Sequence, residues 1–264
     1  MRLDYGTQLS PYPITLSIGT LKKPVLGEIA TITFDRFSYY EFFIKMTPEV
    51  YYNEIKGDDG KVYWNSLTDK ERECLSIYDV IIEDQKLQET YIEILNFFFI
   101  ETVIFKEGLF LILINSELSD LENLSMDNVR GIISKKTFPQ IINLIQQICC
   151  IEKKEESIEK LEFKNDVARK LYEKMMKAQQ EEEKRSKKDL NLTIPNIISA
   201  LSNNHPSLNY LNIWELNIFQ LLDSFNRIQE NSMFNINCMR VSVWGDEKKT
   251  FDPALWYKNN YDKR

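Results

Sequence analysis

The chain has 264 residues, 43% of them apolar and 12% aromatic, with 40 Asp and Glu against 33 Lys and Arg, a net charge of −7 and a pI near 5.1. An acidic balance of this kind opposes a nucleic-acid binder, which needs Lys and Arg gathered on one face to displace counterions, and the apolar content suffices for one large or two modest domains. Proteins are therefore the expected partners. Cys74, Cys149, Cys150 and Cys238 form no CxxC pair and no regular framework, and the opening MRLDYGTQLS lacks the apolar run of a signal peptide, which predicts a reducing cytoplasm. The longest apolar stretches, 92–105 and 109–114, are broken by Glu93, Asn96, Glu101 and Lys106-Glu107, short of the roughly 20 residues of a membrane span.

In chain order, residues 1–23 read as an extended arm with a short strand, because Ile14, Leu16 and Ile18 alternate with Thr15 and Ser17 after Pro11 and Pro13. Pro24 suits the first turn of a helix running to about Thr33, with a second helix over Ser38 to Met46. Thr47-Pro48-Glu49 is a helix start, and the helix it opens is expected to end near Gly57. GDDG (Gly57 to Gly60) is expected to be a turn; it lacks the alternating ligands and distal Glu of a calcium loop. Helices are predicted at 69–75 and 77–99, the second with Leu87, Tyr91, Ile94, Leu95 and Phe98 inward. Val103 to Lys106 and Leu109 to Ile114, separated by Glu107-Gly108, predict a β-hairpin. A further strand at 131–134 and a helix over 137–151 follow. The vicinal pair Cys149-Cys150 is read as two small hydrophobes at a buried helix end rather than a redox switch or soft-metal ligand.

Residues 152–188 change character: 22 of 37 are charged, with no Gly or Pro. Phe163, Val167, Leu171 and Met175 recur every four residues there, so the segment predicts a charged helical linker between an N-terminal α+β domain, 1–151, and a C-terminal helical domain with an aromatic tail, 189–264. The fold class is mainly α (α+β). Leu192-Thr193-Ile194-Pro195 opens a short helix. In the next one Trp214, Ile218, Leu221, Phe225 and Ile228 recur at spacings of three or four. Residues 239–243 fit either a short strand or a last helical turn. Trp244, Phe251, Trp256 and Tyr257 then fall among turn-forming residues, which suits a docking surface or a lid.

Catalytic constellations are missing from the sequence. The single histidine, His205, precedes Pro206 in a polar loop, so no two-histidine metal site can be built and a Ser-His or Cys-His dyad has only a loop residue to use. There is no GxGxxG, GxxxxGK[ST] or GxSxG. A non-enzyme without cofactor or metal is the expectation.

Several segments resemble proteins encoded in the tail modules of bacteriophages and prophages of Gram-positive bacteria: YGTQLSPYPITLSIGTLKKP (Tyr5 to Pro24), TPEVYY (Thr47 to Tyr52), LTIPNIISALS (Leu192 to Ser202), and NIWELNIFQLLDSFNRIQ through RVSVWGDEKKTFDPALWYKN. The family resembles tail assembly chaperones. The resemblance implies binding of the long tape measure protein while tail-tube subunits assemble around it, in the cytoplasm of the infected host. The tail-tube protein and further copies of the chain stand open as additional partners. Trp214, Phe225, Trp244, Phe251, Trp256 and Tyr257 are the candidate partner-binding residues, as clustered Trp and Tyr typify interface hot spots; the alternative is that they cap their own domain. A structural component of the virion tail or connector, with the arm Tyr5 to Ile18 paired to a neighbouring subunit, is the second functional reading.

Overall fold

The structure, a computed structural model, describes residues 2–114, 126–151, 190–247, 249–259 and 261. The charged segment predicted as a linker lies outside the described residues. The fold is mainly α, with two small antiparallel sheets.

The N-terminal arm begins with a helical turn, α1 (Tyr5–Leu9), where an extended run was expected. Asp4 caps it by accepting from the Thr7 amide, a local hydrogen bond that hydropathy patterning does not register. Lys23 holds the other end, donating to the carbonyls of Thr7 and Ser10. Burial lowers the Lys23 pKa, and the nearby Asp4 carboxylate partly offsets this. The expected strand is half of a hairpin, β1 (Ile14–Leu16) against β2 (Gly19–Leu21).

Helix α2 (Leu26–Ile32) buries Leu26 and Ile29, and α3 (Phe34–Lys45) starts earlier than Ser38 because Thr33 caps it. Thr47 caps α4 (Pro48–Val50), which widens into a π turn over Tyr51–Ile55 and buries both Tyr51 and Tyr52. GDDG is not a free turn. Gly57, at φ +77°, breaks from the preceding helix and opens α5 (Gly57–Ser66), whose first turn holds Asp58 and Asp59 where the helix dipole favours negative charge.

The long helix expected from Ile77 is also interrupted. Helices α6 (Asp69–Cys74), α7 (Ile77–Glu83) and α8 (Gln85–Phe98) are separate. Asp84 makes the second break by turning its carboxylate onto the amides of Lys86 and Leu87, so it caps α8. Its pKa is lowered: burial alone would raise it, but the Tyr51 hydroxyl, those two amides and Lys56 outweigh burial. The predicted inner face of α8 is buried throughout.

Strands β3 (Val103–Lys106) and β4 (Leu109–Leu113) form the expected hairpin, with Glu107 at φ +51° and Gly108 at φ +77° as the turn matched to strand twist. β5 (Val129–Ile133) adds to β4. Gly131 is there because the backbone of Ile18 lies against it: a Cβ would sit 2.3 Å from the Ile18 carbonyl oxygen. Helix α9 (Phe138–Ile148) then lays its apolar face inward, ending at buried Cys149, whose thiol pKa burial pushes well up.

Phe138 is the hub of this core, with Tyr78, Tyr91 and Phe110 ring centres 5.2, 5.5 and 6.0 Å from it. The buried phenols are satisfied: Tyr78 donates to the carbonyls of Gly108 and Ile133, and Tyr91 to that of Phe43. The residues after 190 join the same hydrophobic cluster through Ile197, Ile198, Leu201, Ile213, Ile218 and Leu221.

Candidate functional site

The candidate residues lie on α10 (Ile194–Asn204), α11 (Ile218–Trp244) and the segment after them. Helix α10 starts at Thr193 with Pro195 in its first turn and buries Ile197, Ile198 and Leu201. The ring Nδ1 of His205 then accepts from the amides of Ser207 and Leu208, so the one histidine shapes a turn.

Trp214 is not part of the long helix. It sits in a 3-10 turn, Ile213–Glu215, half-buried against Gly27 of α2, with its indole N–H donating to the Tyr210 carbonyl. Leu26 N–H donates to the Leu216 carbonyl at 2.8 Å, and Val25 and Asn217 form an isolated bridge, which anchors this turn to α2. Asn217 closes the break: its side chain accepts from the Gln220 amide while Gln220 reaches back to the Asn217 amide, a reciprocal cap that starts α11. The periodicity that joins Trp214 to Ile218 in sequence is therefore continuous in hydropathy but not in backbone.

Helix α11 runs 27 residues, about 40 Å at 1.5 Å per residue. Residues 239–243, ambiguous by pattern, are helical and run into its last turn. Trp214 and Trp244 accordingly stand at opposite ends and share no groove. Phe225 lies between them, lining a groove of about 460 Å³ with Ala200, Leu201, Ile228 and Met233 where α10 meets α11.

Beyond Trp244 the chain reverses at Gly245, φ +73°, a conformation that favours glycine. Asp246 fixes the turn by accepting from the amides of Thr250 and Phe251, and these hydrogen bonds lower its pKa. The tail then returns along α11 as a strap. Arg240 meets Thr250, Phe234 packs on Phe251 at 5.8 Å, Arg227 donates to the Lys258 carbonyl at 2.7 Å, and Phe219 packs on Tyr261 at 5.6 Å. Tyr261 also donates to the Leu3 carbonyl and packs on Tyr5. Tyr5 is itself tied to α11, its hydroxyl facing Asp223 at 3.3 Å and Arg227 at 3.4 Å. The Tyr5 hydroxyl is the main reason the Arg227 pKa is raised, with Asp223 and Glu230 adding to it.

The six candidate residues thus divide. Phe251 faces its own helix, and Trp214 and Phe225 are half-buried. Trp244, Trp256 and Tyr257 are 77%, 51% and 61% exposed, the last two packed edge to face on the strap at 5.0 Å. Sequence reasoning missed the distal apolar face of α11, where Met233, Ile236, Met239 and Val243 are exposed. The signal for it was present: from Asn231 to Trp244 the only charged residue is Arg240. Among the described residues no three His, Cys, Asp or Glu side chains converge as a metal-binding set, and no helix is long and apolar enough to cross a membrane.

A family model described as YomV second domain matches residues 183–261. The matched stretch, under a third of the chain, takes in α10, α11 and the strap, and is compatible with a phage-derived protein. No curated protein matches the chain, and no solved structure does.

Proposed function

We propose that the chain is a non-enzymatic tail assembly chaperone of a phage or prophage, binding helices of the tape measure protein while the tail tube assembles. The observation that carries this reading is the display of Trp256 and Tyr257 on the strap and of Trp244 at the far end of α11. Large aromatics held by their own backbone yet open to solvent suit the reversible covering of apolar helices. The match over residues 183–261 supports a phage origin, and the tail-module segments quoted from the sequence support the narrower assignment.

Co-expression with the tape measure protein of the same tail module tests it. The wild-type chain is expected to capture that protein, and a folded Trp244→Ala/Trp256→Ala variant to lose at least tenfold of the capture, about 1.4 kcal/mol. Equal capture by the folded variant overturns the site. Stoichiometric recovery of the chain from purified particles overturns the chaperone role and assigns it to the virion tail.

A further inference from the structure

The strap covers only one side of the distal half of α11. Phe234, Cys238 and Val241, on that side, are half-buried, whereas Met233, Ile236, Met239 and Val243 on the other side are 53%, 54%, 62% and 69% exposed, with Trp244 at the edge. Ile236, Met239 and Val243 follow one another at steps of three and four, so they form one stripe. The stripe continues Phe225, Ile228 and Ser232, which face α10. Past α10 it has no cover among the described residues.

We infer that this face is a self-association surface, on which α11 of one copy pairs with α11 of a second copy. Three observations select a second copy over another occupant. The chain carries −7, so two copies repel wherever their charged surfaces meet; the stretch Asn231–Trp244 holds a single charge, Arg240, and that guanidinium is turned to Thr250 of the strap. A two-fold pair requires a face complementary to itself, which a stripe of uncharged Met, Ile and Val satisfies without any opposite-charge partner. The exposures above leave on the order of 600 Å² of side-chain surface per copy, so two faces cover on the order of 1,200 Å², the lower edge of specific interfaces. Trp244 borders this surface and the client surface alike, whereas Trp256 and Tyr257 stay outside it on the strap.

Sedimentation velocity of the full chain tests the surface. The wild type is expected at twice the monomer mass at micromolar concentration. Ile236→Asp/Met239→Asp is expected to be monomeric and to keep the wild type's far-UV circular dichroism, since both side chains are exposed within a single copy, and Val62→Asp, at an exposed apolar position of α5, is expected to remain dimeric. A wild type that is monomeric at about 100 µM, far above the micromolar limit for interfaces of standard area, overturns the inference. That outcome passes the face to the client or to Phe163, Val167, Leu171 and Met175 of the chain's own charged segment. A dimer that survives I236D/M239D overturns it equally. Tape measure capture by a W256A variant, which leaves the α11 face intact, is a separate readout, so either proposal can fail while the other stands.

Discussion

Two regions of this protein use the same residue types in opposite ways. Around Phe138, aromatic rings from α7, α8, β4 and α9 close on one another and every buried phenol has a carbonyl to bond. In the distal half of α11 comparable apolar bulk is kept in water on one side and covered by the chain's own strap on the other. The difference lies in the partners available. A side chain enclosed from several directions contributes to folding, whereas one on a single projecting helix contributes nothing until a second surface arrives.

The comparison can be broken most forcefully at its centre. Phe138→Ala, at 1% exposure, is expected to cost about 3–5 kcal/mol, read as a fall in the urea midpoint with an unchanged slope. Gly131→Ala should cost about 1–3 kcal/mol by the same measurement, because the added methyl meets backbone rather than a side chain that can swing away. Asp84→Ala removes the α8 cap and is expected to cost about 1 kcal/mol at neutral pH. Because the Asp84 pKa is lower folded than unfolded, its contribution is full above the ordinary carboxylate range near about 4 and fades as pH falls through the lowered value, so wild type and variant should converge in acid. At the other pole Met239→Ser, measured at a concentration low enough for the chain to be monomeric, is expected to shift stability by less than about 0.5 kcal/mol, checked by the thermal midpoint. A larger loss there would show that the distal face is already covered within one chain.

Much of the first region was legible in the sequence. The spacing of Leu87, Tyr91, Ile94, Leu95 and Phe98 identifies the buried face of α8, and Glu107-Gly108 identifies the hairpin turn. What escaped was decided by single polar contacts: Asp4 starting α1, Asp84 dividing α7 from α8, and Asn217 separating Trp214 from α11. Each is a side chain bonding backbone amides two or three residues away, which hydropathy does not encode. GDDG was misplaced for a related reason, since glycine and aspartate suit a turn and a helix start equally well. The candidate site was legible in composition only. Residues 244–257 advertise aromatics, but which of them face inward depends on the antiparallel return of the strap, a long-range arrangement that local pattern cannot supply.

That return has a mechanical consequence. Strap and helix are joined at Gly245, and their contacts lie in series from Tyr261 on Phe219, through Lys258 on Arg227 and Phe251 on Phe234, to Thr250 on Arg240. Tension applied at residue 261 therefore loads these contacts one at a time, as in a zipper, rather than all together. The aromatic pair Trp256 and Tyr257 lies next to Lys258, so a pull on it loads the Lys258 contact on Arg227 well before the turn at Gly245.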